Sequence, residues 1–203
     1  MSEYKTPKKL KPLKITCTST DCENGLHCFL QKRRQSPIHG PCRECGVNLV
    51  DWPRVHARNL DDVQHTVSAL QQERIRHHFW HAEIDQKAIN HARRKGFCGM
   101  ETAVRQRLRN SIGRKEHPIE GRQTGRSGNV IYYAQHATAT CCRYCLEEWH
   151  GVTRDHDLTD GEIEYLAEVV THYIKKRLPN LSEDGERVPP IRRRSSKRTT
   201  KAS

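Results

Sequence analysis

Hydrophobic side chains recur every three or four residues in several stretches of the chain, which is the period of an amphipathic helix. The first stretch predicts a helix that begins near Asn59, a good N-cap, and ends at His81. The last stretch predicts the best-defined helix, which starts at a capping box of Thr159 and Glu162 and stops before Pro179. The pattern therefore favours a chain dominated by helices.

Two shorter helices and one strand are predicted between these. A helix is expected over 85–95, where Asp85 can cap the first turn and Gly96 can take the left-handed conformation that ends a helix. Another is expected over 100–110. Residues 129–135 are β-branched and aromatic, and they predict the clearest strand. The fold class is therefore predicted as α+β, a small helix-dominated domain with a short sheet.

The composition indicates a modest core, because 34% of the 203 residues are hydrophobic and 30% are charged. No apolar run approaches the roughly 18 residues that a membrane-spanning helix needs. The polar N-terminus is not followed by the apolar stretch of a secretory signal. We therefore expect a cytoplasmic protein with no membrane partner, and nine cysteines that serve metal or redox chemistry rather than disulfides.

The formal net charge of +12 lies mostly at the two ends of the chain. Residues 1–16 hold five lysines against one glutamate, and residues 188–203 hold six basic residues and no acid. Both ends are also rich in Pro, Ser and Thr, so we expect disordered arms. Basic arms bind polyanions without sequence choice, which makes nucleic acid the expected partner. A tail that only improves solubility is the alternative.

The middle of the chain is nearly neutral but strongly polarised. Residues 86–115 carry nine basic side chains against one acid, and residues 147–168 carry eight acids against one base. These two stretches could face each other within the fold, or the first could form a nucleic-acid groove. The candidate nucleic-acid contacts are Arg93, Arg94, Lys95, Arg105, Arg109, Arg192, Arg193 and Arg194.

Five cysteines stand within residues 17–45, a stretch that is rich in turn formers and too polar to fold without help. A structural zinc ion takes four thiolate or imidazole ligands in a tetrahedron. The Cys42-Arg-Glu-Cys45-Gly pattern is typical of a turn that aims two thiolates at one ion. Ordinary buried thiols are the competing interpretation. Our preferred ligands are Cys22, Cys28, Cys42 and Cys45, with Cys17 as the alternate and His27 as a further candidate.

A second cluster runs from His136 to His150 and holds another Cys-x2-Cys pair, Cys142 and Cys145. This pair is predicted to follow a strand and to open a helix, which is the setting of a treble-clef-like zinc site and favours the thiolate. His150 could complete the site, with His136 or Cys141 as the fourth ligand. We favour two separate zinc ions. One zinc that bridges both Cys-x2-Cys pairs, and a redox site that exchanges disulfides, stay open.

Four histidines suggest a different chemistry. His77 and His81 share one helix face, and His91 follows them closely. Together with His136 they could hold a metal with an open position or supply a general base, which would make the protein a nuclease-like, metal-dependent hydrolase. Partly buried imidazoles that pair with carboxylates are the competing, structural interpretation.

Two stretches of the chain resemble a known family. The residues from Gly121 through Tyr133-Ala-Gln-His-Ala-Thr-Ala-Thr-Cys-Cys-Arg, with Cys-Leu-Glu-Glu-Trp-His-Gly at 145–151, resemble a bacterial family filed only as a domain of unknown function. Residues 78–96 are similar to longer members that carry a Cys-rich front. The resemblance implies a small, cytoplasmic bacterial protein. It brings no activity or substrate with it.

These patterns predict four segments: a disordered basic arm over 1–16, a Cys-rich zinc module over 17–58, a mixed α/β domain with the second Cys/His cluster over 59–180, and a disordered basic tail over 181–203. The leading hypothesis is a zinc protein with structural metal sites that engages nucleic acid through its arms and the helices of 86–115. The histidine-based hydrolase is the alternative, and a zinc-scaffolded module that binds another protein is the third hypothesis.

Overall fold

Helices supply the regular structure of residues 15–29, 39–115 and 124–189, the parts of the chain that the computed structural model describes. An isolated bridge joins His27 to Glu73, and no strand occurs among these described residues. The predicted α+β class with a short sheet is therefore wrong. In chain order the elements are α1 (Ser19–Glu23), α2 (Trp52–His56), a 3-10 turn (Leu60–Asp62), α3 (Val63–Gln71), α4 (Arg74–His81), α5 (Gln86–Ile112), α6 (Val130–Ala137), α7 (Arg143–His150) and α8 (Asp160–Arg177).

The predicted strand over 129–135 is helix α6. Asn129 caps it, since its side chain accepts the N–H of Ile131 at 3.0 Å, and every residue of the helix except Tyr132 is buried. A helix buried on all sides shows no amphipathic period. Its β-branched and aromatic residues therefore reflect burial and are not evidence of an extended backbone. The treble-clef-like strand–Cys-x2-Cys–helix element is wrong for the same reason, because a helix precedes that cysteine pair.

The helix predicted to run without interruption from Asn59 to His81 is divided between α3 and α4. Glu73 has an extended backbone there (φ −82°, ψ 126°). The backbone of His27 fills the gap, because its N–H donates to the carbonyl of Gln72 and its carbonyl accepts from Arg74, both at 2.8 Å. The Cys-rich N-terminal segment is thus attached to the middle of the helical domain at this break.

The signals at both ends of the 85–95 helix are confirmed, although the chain continues as helix beyond them. Asp85 accepts the N–H of Ala88 at 3.0 Å, and Gly96 has φ +64° and kinks α5 in its middle. The kink frees backbone groups, and the segment after α8 pairs with them. Phe97 N–H donates to the carbonyl of Ser182 at 2.8 Å. Residues near 182, which composition places in the basic tail, therefore lie against α5.

Helix α8 is the centre of the core. The capping box of Thr159 and Glu162 is confirmed, and the predicted apolar face from Ile163 to Ile174 is buried. α5 and α6 both pack along α8, α4 packs on α6, and α3 touches α4 and α8. In the described part of the chain no helix is long and apolar enough to span a bilayer.

A buried ion pair stands where α3 and α4 separate. Arg76 Nε donates to Glu73 Oε2 at 3.2 Å, and the indole N–H of Trp149 on α7 donates to the same oxygen at 2.8 Å. Glu73 and Arg76 are only 3% and 4% exposed. Burial raises the pKa of the Glu73 carboxyl, and Arg76 and the indole act against that rise. Because both charges are desolvated, each depends on its partner.

Replacing Glu73 with Gln keeps the side-chain shape and removes the charge opposite Arg76. We expect Glu73→Gln to lower the free energy of unfolding by about 3 kcal/mol, measured by urea denaturation at fixed zinc concentration. The control is Glu164→Gln, since Glu164 pairs with Arg105 in an exposed α5–α8 contact. That change should cost less than about 1 kcal/mol. Equal losses in the two variants would contradict the importance of the buried pair.

A side chain at the α5 kink has no room. A Cβ on Gly96 would lie 2.2 Å from the backbone carbonyl carbon of Asp184, in a left-handed conformation that L-residues avoid. We expect Gly96→Ala to lower the free energy of unfolding by about 2–4 kcal/mol. Gly99→Ala, one turn further along α5, should be neutral or raise it by up to about 1 kcal/mol. If Gly96→Ala leaves the free energy of unfolding unchanged, the kink at Gly96 is contradicted.

Candidate metal centres

Four side chains from the N-terminal segment converge to form what we call the first centre: Cys22, His27, Cys42 and Cys45. Their ligand atoms all lie within 4.8 Å of one another. The sulfurs of Cys22 and Cys42 are 3.8 Å apart, and Cys45 Sγ is 3.5 Å from His27 Nδ1. A disulfide would need a sulfur–sulfur distance of about 2.05 Å, and all nine cysteines are free.

These distances are those of ligands around one tetrahedral zinc ion. With bonds of about 2.3 Å to sulfur and about 2.0 Å to nitrogen, a tetrahedral zinc places two sulfurs about 3.8 Å apart and a sulfur and a nitrogen about 3.5 Å apart. Both spacings match the first centre. The residues present therefore fit a zinc ion, in number, in donor type and in spacing.

Local hydrogen bonds position the cysteines of the first centre. Cys22 lies on α1, which begins at a capping box of Thr18 and Asp21. Cys42 and Cys45 lie on a tight turn that the N–H of Gly46 closes onto the carbonyl of Cys42 at 2.8 Å. Gly46 has φ +75°, a conformation that suits glycine.

The backbone also prepares one thiolate in the first centre. Burial opposes ionisation of Cys42, but the N–H groups of Cys28, Glu44 and Cys45 point to its sulfur and lower its pKa to about 5. The pKa of Cys22 is raised to about 12 by burial and by neighbouring thiols. Thiolates packed this closely repel one another, and a divalent cation would remove that repulsion.

His27, rather than Cys28, is the fourth member of the group whose ligand atoms all lie within 4.8 Å of one another. Burial and hydrogen bonds with Cys28 and Cys42 raise the pKa of the Cys17 thiol, so Cys28 lies beside this group. Cys28 Sγ accepts the N–H of Cys17 at 2.8 Å. Cys17 Sγ lies 3.7 Å from Cys42 Sγ, which keeps Cys17 close enough to serve as the alternate ligand.

The second centre consists of three thiols at the start of α7: Cys141, Cys142 and Cys145. Their sulfurs lie within 4.8 Å of one another, and Cys141 Sγ is 3.5 Å from Cys145 Sγ. Arg76 Nη2 reaches Cys145 Sγ at 3.4 Å. Burial disfavours the charge on Arg76, but Cys145, Glu73 and Cys141 raise its pKa, so the guanidinium stays protonated.

The two histidines proposed as ligands of this centre are turned elsewhere. His136 stacks on Phe79 with ring centroids 4.5 Å apart, and its Nε2 lies 3.0 Å from the carbonyl of Thr124. His150 Nε2 lies 2.9 Å from the carbonyl of Thr138. Burial lowers the pKa of each imidazole to about 4, so both are neutral at pH 7.

The two groups of ligands are separate, which favours two ions over one that bridges both cysteine pairs. They are nevertheless connected through the break between α3 and α4. The backbone of His27, a ligand of the first centre, is hydrogen-bonded to the two residues that flank Glu73. Glu73 in turn binds Arg76, which contacts Cys145 of the second centre. Sequence reasoning missed Glu73 and Arg76; their i, i+3 spacing with opposite charge was the available signal.

The four histidines of the hydrolase hypothesis do not form one cluster. His77 and His81 are neighbours, with ring centroids 4.1 Å apart. His136 faces Thr124, and His91 lies on α5, where its Nδ1 is buried with no hydrogen-bond partner. Among the residues that the structure describes, neither metal-type group contains any of the four.

Three of the five candidate nucleic-acid contacts on α5 form ion pairs with acidic side chains of the same chain. Arg105 pairs with Glu164 at 2.6 Å, Arg109 with Asp160 at 2.9 Å, and Arg93 with Glu186 at 2.5 Å. Two of these three acids come from the acidic stretch 147–168, so the basic and acidic stretches face each other. Arg94 and Lys95 are exposed on α5. The remaining candidates, Arg192, Arg193 and Arg194, lie outside the described residues.

Comparison with known proteins identifies the family. Residues 64–175 match the family described as a domain of unknown function, DUF4186. This range holds α4 through α7 with Arg76 and the second centre, and it leaves out all four ligands of the first centre. No solved structure is significantly similar to the chain. Because the match spans more than half of the sequence, the chain belongs to the DUF4186 family.

Proposed function

We propose that this protein binds two zinc ions, one in each centre, and that the ion of the first centre is structural. The observation that carries the proposal is the convergence of Cys22, His27, Cys42 and Cys45, in which the Cys22–Cys42 and Cys45–His27 distances match those of ligands around a tetrahedral zinc. Thiolates with one imidazole favour zinc over magnesium or calcium, which prefer oxygen ligands. Free thiols in such number fit the reducing cytoplasm, which we propose as its location.

The structural role follows from what surrounds the first centre. Residues 15–29 contain only the five-residue helix α1, in which no side chain is buried. They are attached to the helical domain by the backbone bonds of His27, the ion pair of Asp21 with Arg74 at 3.0 Å and the buried side chain of Phe29. A zinc ion that joins this segment to Cys42 and Cys45 would supply the stability that a core supplies elsewhere.

We further propose weak, largely non-specific binding to nucleic acid, carried mainly by the two basic ends of the chain. Residues 1–16 and 188–203 contribute ten of the twelve units of net charge (4 + 6 of 12). The paired arginines of α5 contribute little free positive charge. Binding through solvated basic arms releases counterions and is therefore steeply dependent on salt.

The metal content of three cysteine variants tests the zinc proposal. We expect two zinc ions per chain in the native protein, one in Cys42→Ser and one in Cys145→Ser, measured by atomic emission after gel filtration. Cys98→Ser is the matched control, because Cys98 is exposed and belongs to neither centre. It should retain both ions. If the native protein holds a single zinc and both Cys42→Ser and Cys145→Ser lose it, one ion bridges the two cysteine pairs. If both variants keep their zinc, the metal is bound by the histidines.

The salt dependence of binding tests the role of the arms. Replacing the six basic residues of 188–203 with Gln should weaken binding to a DNA duplex and lower the slope of log K against log salt by several units, at about 0.9 per lost phosphate contact. Arg105→Gln with Arg109→Gln is the comparison, and should leave the slope within about one unit of the native value. A larger fall of the slope in the Arg105/Arg109 variant than in the tail variant would contradict the proposal. A flat slope in the native chain would contradict it as well.

A further inference from the structure

The two centres differ in the number of ligands that the described residues supply. In the first, three thiols and an imidazole converge. In the second, three thiols converge, and no fourth nitrogen, sulfur or carboxylate ligand joins them from residues 15–29, 39–115 or 124–189. Structural zinc sites are closed by four protein ligands, whereas sites that react or exchange keep three protein ligands and one open position.

The nearby imidazoles are held away from the second centre by contacts of their own. To join it, His136 would have to leave both the Phe79 ring and the carbonyl of Thr124. His150 is fully buried, its Nε2 lies against the carbonyl of Thr138, and its Nδ1 lies outside the group of three sulfurs. Moving His136 away from Thr124 would leave a buried carbonyl without its donor, which costs about 1–3 kcal/mol.

Charge also favours a ligand that carries none. Three thiolates and a zinc ion sum to −1, and the buried guanidinium of Arg76 beside Cys145 offsets that charge. Arg76 is already shared with the carboxylate of Glu73. An anionic fourth ligand would add a second negative charge beside the one that Arg76 offsets, and in a partly buried site this is unfavourable.

Two of the three cysteines are not fully buried. Cys142 and Cys145 are partly exposed, and Cys141 is 6% exposed. The second centre therefore lies near the surface of the helical domain. Arg76 is a buried residue of α4, and its guanidinium donates a hydrogen bond to Cys145 Sγ.

We infer that the second centre is an exchangeable zinc site: Cys141, Cys142 and Cys145 hold the ion, and its fourth position takes a small neutral nitrogen or oxygen donor from solution. This inference rests on the proposed binding of a second zinc. It gives the DUF4186 part of the chain a ligand-binding centre, while the first centre, outside the family match, remains closed.

Cobalt substitution tests the inference, because the visible d–d bands of Co²⁺ report its ligands. In Cys42→Ser loaded with Co²⁺, which retains only the second centre, added imidazole should shift these bands saturably. In Cys145→Ser, which retains only the first centre, the same titration should change nothing. The native protein with two Co²⁺ ions guards against a variant that fails to fold, and about half of its band intensity should respond.

Three results would overturn the inference, and they can be told apart. If the second centre binds Co²⁺ and its bands ignore imidazole, the chain supplies a closed fourth ligand, while the second metal site itself stands. If Cys42→Ser is folded and binds no Co²⁺, the second zinc of the proposed function fails as well. A response in Cys145→Ser equal to that in Cys42→Ser would also overturn it, since the first centre would then be just as open.

Discussion

The rest of the structure depends on the buried charge pair at the break between α3 and α4. Glu73 leaves helical geometry so that His27 can bond to both sides of it, and its carboxylate then holds Arg76 and the indole of Trp149. Arg76 in turn contacts Cys145. One interruption of a helix thus ties the Cys-rich segment, the helical core and both metal centres together. A continuous helix would leave no free backbone groups at this position for His27 to bond.

Local signals in the sequence were sufficient wherever a cap or a glycine decides the backbone. The capping box of Thr159 and Glu162, the cap at Asp85 and the left-handed Gly96 all occur as predicted. The strand over 129–135 was wrong, because β-branched residues in a fully buried segment carry no periodicity that separates helix from strand. The break at Glu73 was missed, because its cause is a backbone contact with a residue 46 positions earlier (73 − 27).

The two metal centres show the same limit. Cys-x2-Cys spacing identified both groups, since the spacing itself brings two sulfurs together. It could not decide between His27 and Cys28, because that choice depends on how the backbone of these two residues lies relative to the turn at Cys42. The roles of Glu73 and Arg76 were also hidden, since a buried charge is recognisable only once its surroundings are known. Among the described residues, two ion pairs join the basic and acidic stretches across α5 and α8.

The central claim is that each centre binds zinc through three thiolates and one lighter donor, imidazole in the first and a solvent-derived ligand in the second. Zinc K-edge absorption of the native protein with two ions tests it most directly. We expect an average of three sulfurs at about 2.3 Å and one nitrogen or oxygen at about 2.0 Å per zinc. An average of four sulfurs, or a shell dominated by nitrogen and oxygen, would contradict it.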